Sequence, residues 1–193
     1  NLFKNFWTPI ITSLKKTNPA VTIIAEQANW FSLGHEYFRD AMVDRVFAFG
    51  LSWAIETFDK KKLMAAADSI LTKNPPDKQQ IVFIENHDTR RIASVKDMSK
   101  EKLKIAGTLN LFLGGIPLLY YGQEIGMKGK QIKGMTDGND IPIGEAFEWY
   151  RASDGEGMAL WYKNTGPWWD STNIKSNDGI SFEEQHKDNG SLW

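Results

Sequence analysis

Four short apolar runs recur along the chain, and their spacing constrains the fold more than any other feature. They are Val21-Thr22-Ile23-Ile24-Ala25, Val46-Phe47-Ala48-Phe49, Ile81-Val82-Phe83-Ile84 and Ile116 to Tyr121. Continuous runs of this kind, rich in β-branched and aromatic residues, read as strands buried on both faces. Helical patterns lie around and between them. Residues 2–16 place Leu2, Phe3, Phe6, Trp7, Ile10, Ile11 and Leu14 at helical spacing, and Asn18-Pro19 ends that pattern. Gly34 to Ala41 can form a short helix, and Lys60 to Leu71 carries Leu63, Ala66, Ala67 and Ile70 on one side. Ser99 opens a helix running to about Leu113, with Gly114-Gly115 as its stop. Strand–helix alternation predicts an α/β fold with a parallel sheet, in which working residues gather beyond the C-terminal ends of the strands.

Residues 122–193 have a different character. They are rich in Gly, Asp, Asn and Trp and show few periodic runs. A stretch of that length without regular elements is unusual in a compact domain and is often functional. The expected organisation is therefore a strand–helix region over 1–121 and a long loop region over 122–193. Trp149, Trp161, Trp168 and Trp169 give this second region surfaces that either stack on a ligand or pack on one another.

Composition narrows the function classes. The chain is 41% hydrophobic and 24% charged, which is globular rather than disordered. A net charge of −1 does not indicate a strongly basic surface for nucleic acid. Cysteine is absent, which removes disulfides, thiolate metal sites and a cysteine nucleophile. No apolar run approaches the ~18 residues of a membrane span. The start, Asn1-Leu2-Phe3-Lys4, has neither an initiator Met nor a signal-peptide pattern. The native start is expected elsewhere, so cytoplasmic and secreted locations both stay open.

The chemistry concentrates in "IVFIENHDTRR", residues 81–91, where an apolar run ends in Glu85, Asn86, His87, Asp88, Arg90 and Arg91. Glu26 follows the first apolar run in the same way. Two carboxylates on separate strand tips suit general acid/base work, particularly glycoside cleavage. The alternative is that each is a helix cap or an ion-pair partner. His87 beside Asp88 reads as a metal ligand, a base or a hydrogen-bond donor to substrate, and with no second His nearby it makes a poor metal site. Asp137-Gly138-Asn139-Asp140 opens like a calcium loop with Glu148 at its twelfth position, but Ile141 and Pro142 stand where a ligand and Gly are needed.

These residues resemble the alpha-amylase family, glycoside hydrolase family 13. "IVFIENHDTRRIAS" is similar to the region in which an Asn-His-Asp triplet ends the seventh barrel strand. "VTIIAEQANW" is similar to the region whose fifth strand ends in the acid/base Glu. "LFLGGIPLLYYGQEIGM" resembles the eighth strand and the loop after it, and "AFEWY" and "ISFEEQHKDNGSLW" resemble the segment leading to the last barrel helix. The resemblance implies a TIM (β/α)8 barrel of which this chain holds the half with strands five to eight. It implies that Glu26 is the general acid/base and Asp88 the carboxylate that stabilises the transition state. His87 would bond the same sugar, Asn86 and Arg91 would support that shell, and Trp30 or Tyr121 would stack on sugar rings. The partner would be an α-glucan such as starch or maltodextrin.

The resemblance also implies what lies elsewhere. The nucleophile Asp belongs upstream of the acid/base Glu, whereas Asp40 and Asp44 follow Glu26. The chain is thus expected to need the preceding half-barrel, in the same or a separate chain, and to be inactive alone. No cofactor is expected in this segment, with calcium left to the complete enzyme. Where the family often has Arg, Gly144 stands. Rival readings are a transglycosylase or α-glucosidase of the same family, and a non-catalytic sugar-binding or interaction module.

Overall fold

A computed structural model describes residues 2–27, 29–166 and 172–192. Trp168 and Trp169 lie outside the described residues. Four parallel strands form one sheet in the order β1-β2-β3-β4: β1 (Ile24–Ala25), β2 (Arg45–Phe47), β3 (Gln79–Val82) and β4 (Ile116–Pro117). Ile24 faces Arg45, Val46 faces Gln80, and Ile81 faces Ile116. A π-helical turn (Phe3–Trp7) leads into α1 (Thr8–Thr17). Then come α2 (His35–Ala41), α3 (Phe49–Glu56), α4 (Lys60–Leu71), α5 (Lys100–Phe112) and α6 (Phe182–Gln185).

The strand–helix order follows the sequence reading, with three corrections. The first apolar run is not buried on both faces, because β1 is an edge of the described sheet and Ile24 is 56% exposed. The third strand starts two residues early, since Gln79 and Gln80 pair with Arg45 and Val46. Gln80 is buried and its Nε2 donates to the Leu33 carbonyl at 2.9 Å, which lets a polar residue sit inside a sheet. The third is α3, which the periodicity did not reveal. Phe49, Leu51, Ser52, Ala54 and Ile55 are all buried, so the helix has no polar face to mark its period.

The chain divides into two compact units, residues 1–83 with 108–118, and residues 84–107 with 119–193. Residues 84–107 group with the region after β4, and residues 108–118 with the first unit. Helix α5 contributes its first eight residues to the second unit and the rest to the first.

The first unit holds the sheet. Ile11, Phe38, Ala41, Val43 and Val46 form a core cluster, packed against by Phe3, Ile23, Ala25 and Tyr37. A second apolar centre is aromatic, with Phe49 edge-on to Phe83 at 5.0 Å and Phe47 edge-on to Phe83 at 5.8 Å. Asp59 caps α4 by accepting from the Lys61 and Lys62 backbone N–H groups. Gly115 sits at φ +75° with its α-carbon so close to β3 that a Cβ would lie 2.6 Å from the Gln80 carbonyl oxygen. Any side chain there would push the adjacent strands apart.

In the second unit, short 3-10 turns at Gln123–Ile125 and Ile141–Ile143 and the helix α6 punctuate the long loops. Ile125, Met127 and Ile180, with Phe147 against them, form a small apolar cluster. Ser181 and Glu184 make a reciprocal capping box at α6, which the sequence reading passed over.

Candidate functional site

The Asn86-His87-Asp88 triplet lies in the second unit, immediately after β3. Its turn is built by its own side chains. Asn86 Oδ1 accepts from the Asp88 and Thr89 backbone N–H groups at 3.1 and 2.9 Å, and Thr89 Oγ1 accepts from the Asn86 N–H at 3.0 Å. Short polar side chains that bond their own backbone two or three residues on favour such turns over a continuing strand. β3 itself ends at Val82, and the apolar Phe83 and Ile84 lead from it into the polar turn. Asn86 is buried in this role. His87 and Asp88 face outward, with side chains 63% and 31% exposed and Nε2 standing 3.3 Å from Oδ1. The turn thus presents one carboxylate and one imidazole to solvent on a backbone that is internally bonded.

Beneath the turn lies a charge pair that reaches no solvent. Glu85 and Arg91 side chains are both 0% exposed, and Arg91 Nη1 donates to Glu85 Oε1 at 3.0 Å. Glu85 Oε2 accepts from the Ile92 backbone N–H at 2.8 Å. Burial pushes the Glu85 carboxyl up to about 7, against the pull of Arg91 and that N–H. Arg91 Nε donates to the Ile143 carbonyl at 3.0 Å, and Nη1 also donates to the Tyr121 carbonyl. Its guanidinium lies over the rings of Tyr120 and Tyr121 at 4.5 and 4.8 Å. Arg91 therefore has no face open to a sugar, and Tyr121 carries it on one side of the ring. Tyr121 is 40% exposed and its hydroxyl donates to the Glu145 carbonyl at 2.7 Å.

Glu26 belongs to the first unit. It is exposed and follows β1, at the border of a pocket of about 210 Å³ whose other walls include Phe3, Trp7, Ile24 and Tyr37. Trp30, also of the first unit, stacks on Phe49 at 5.3 Å with planes 11° apart and keeps 40% of its surface exposed. One face of its indole is therefore taken by protein.

The sequence reading gave no role to Glu85, Gln131 or Glu145, and met Glu148 only as the twelfth position of the failed calcium-loop match. Gln131 Nε2 donates to the Asp88 carbonyl at 2.6 Å. Glu145 and Glu148 are buried in the second unit. Glu145 accepts from the Asn173 backbone N–H with both oxygens, yet burial keeps its carboxyl above the ordinary range. Burial, with Asp178 and Glu145 nearby, pushes Glu148 up to about 8. Only Glu85 had a readable signal, a carboxylate continuing an apolar strand with an Arg six residues on. Among the described residues, no three His, Cys, Asp or Glu side chains are grouped to hold a metal ion.

The chain is similar to known proteins over most of its length. The alpha-amylase 3 of Dictyoglomus thermophilum is 27% identical over 97% of this chain and 36% of its own length. The 4-alpha-glucanotransferase of Thermotoga maritima is 35% identical over 57% of this chain and 23% of its own. The crystal structure of the alpha-amylase from H.orenii superimposes with a TM-score of 0.71 at 26% identity, covering 96% of this chain and 36% of that one. The chain thus spans well under half the length of each of these relatives. Residues 19–191 match the alpha amylase catalytic domain, a TIM barrel. The chain belongs to the alpha-amylase family.

Proposed function

We propose that this chain supplies strands five to eight of the catalytic barrel of a retaining glycosidase acting on α-glucosidic bonds in starch or maltodextrin. Glu26 is the general acid/base, Asp88 the carboxylate that stabilises the oxocarbenium-like transition state, and His87 a donor to the same sugar. The nucleophile Asp and the preceding half of the barrel belong to the remainder of the protein, so this segment alone is inactive. Any calcium binds outside it. The observation that carries the reading is the turn after β3, in which Asn86 is spent on backbone bonds while His87 and Asp88 are held outward. A carboxylate fixed at such a tip can stabilise developing positive charge without reorganising. Protonation of the leaving oxygen by Glu26 and attack by a second carboxylate complete the first step of a retaining displacement. Asn86 and Arg91 support the turn, and the open surfaces of Trp30 and Tyr121 contribute stacking.

The test uses the complete protein and maltoheptaose. Glu26→Gln and Asp88→Asn are each expected to lower kcat by at least about 10³-fold with the thermal unfolding midpoint unchanged, in line with loss of a positioned acid or electrostatic group. Near-normal turnover in either variant rejects that assignment. The 35% identity to a 4-alpha-glucanotransferase favours a second reading, transfer rather than hydrolysis. Products longer than maltoheptaose would establish it, and release of shorter sugars alone would exclude it.

A further inference from the structure

The Glu85–Arg91 pair is placed where stability alone gives little reason for it. A buried ion pair is often no more stabilising than apolar residues of the same volume. Its connections are more telling. Glu85 immediately precedes the Asn86–Thr89 turn, and Arg91 and Ile92 follow it closely. Through one carboxylate, Glu85 holds both Arg91 Nη1 and the Ile92 N–H, so the two ends of the turn are tied at its base. Arg91 then fixes that base to three other segments. Its Nε and Nη1 reach the carbonyls of Ile143 and Tyr121, and its backbone N–H donates to the Gly129 carbonyl at 2.8 Å. Gly129 is itself pressed against the loop at Pro142, where a Cβ would stand 2.3 Å from the carbonyl oxygen. Above this base the turn is closed by Asn86 and Thr89, and Gln131 holds the Asp88 carbonyl.

The geometry points to Glu85 and Arg91 as positioning residues that fix the His87-Asp88 turn for reaction, acting through the backbone rather than on substrate. The inference rests on the reading of Asp88 as the working carboxylate. A group that stabilises charge only in the transition state must be held in place beforehand, and a displacement of ~1 Å can cost ~10²-fold in rate. Lysine at 91 keeps the charge but lacks the planar fork that serves Glu85, Tyr121 and Ile143 together. Aspartate at 85 keeps the carboxylate but cannot span from Arg91 to the Ile92 N–H.

The experiment compares Arg91→Lys, Glu85→Asp and Asp88→Asn in the complete protein, measuring kcat and KM on maltoheptaose beside thermal unfolding. Arg91→Lys and Glu85→Asp are expected to lower kcat about 10- to 100-fold, with KM changed less than about threefold, at temperatures where both variants are fully folded. A kcat fall below about fivefold in both variants, or one that tracks the folded fraction, overturns the inference. If only one variant folds, it decides alone. Failure of both to fold assigns the pair to folding and also overturns it. Asp88→Asn separates the two levels. An inactive Asp88→Asn beside near-normal Arg91→Lys and Glu85→Asp rejects positioning only, whereas an active Asp88→Asn rejects both.

Discussion

The two units solve the problem of a stable interior with different chemistry. In the first, no buried side chain among the described residues is ionisable, and the apolar ones include Ile11, Val46, Phe49, Leu51, Ile55, Val82 and Phe83. Its buried polar side chains are the neutral Gln27, Ser52, Gln80 and Asn110. In the second, Glu85, Arg91, Glu145 and Glu148 are all buried, together with Asn86, Gln123, Ser181 and Gln185. These four are the buried carboxylates and guanidinium among the described residues. A sheet satisfies its backbone in its ladders and needs only apolar surface to pack. Long loops cannot do so, and buried side chains must supply the missing partners. The Glu85–Arg91 pair reaching Ile143, Tyr121 and Ile92, and Glu145 reaching Asn173, are instances of that rule.

The contrast can be broken by mutation. Phe49→Ala, in the aromatic centre of the first unit, is expected to cost about 3–5 kcal/mol through lost burial and a cavity. Arg91→Met in the second unit should cost a similar about 3–5 kcal/mol, because Glu85 is left buried and unpaired. The double variant Glu85→Leu/Arg91→Met should recover much of that loss. Chemical denaturation checks all three, and a double variant as unstable as Arg91→Met would show that the backbone bonds of Arg91 matter more than the charge pairing.

Opposite pH responses sharpen the comparison. Burial works against the charge on Asp44 in the first unit, yet Lys15, Lys78 and the Ile23 N–H hold its carboxyl down to about 2. A carboxyl lowered on folding contributes stability above its unfolded value, and that contribution is lost as pH falls toward 2. Glu148 is raised to about 8, so its contribution is complete below its ordinary value near 4.5 and is lost as pH rises through 8. Hydrogen exchange followed by peptide should show the first unit loosening in acid and the second in mild alkali. Glu148→Gln should flatten the alkaline limb, and an unchanged limb would remove Glu148 as its source.

The smallest effect concerns caps. Ser181→Ala removes one side of the α6 capping box and should cost about 1 kcal/mol, as should Asp59→Ala at α4. Exchange protection lost only near residues 181–186 in the first case would confirm that the cap acts locally.

Much of the first unit was legible because its signals are periodic. Apolar runs near residues 24, 46, 81 and 116, and the pattern over 60–71, carried strand and helix identity in a few neighbouring residues. Helix α3 was not legible, since its one partly exposed face is Gly50, Trp53 and Glu56 and carries too little polarity to mark the period. The Asn86-His87-Asp88 triplet announced a site, but not that Asn86 would turn inward and His87 and Asp88 outward. The sequence by itself determined the strand–helix order, the family and the residue types at the strand tip, because these depend on local propensity and motif. Tertiary structure alone decided that Glu85 and Arg91 meet without solvent, that Tyr121 lies over Arg91, and that Glu148 is buried. Those outcomes depend on segments from Tyr121 to Ile143 and beyond returning to residues 85–92 within the second unit. Long-range packing sets the dielectric and the hydrogen-bond partners of a charge, and no short window of sequence contains either.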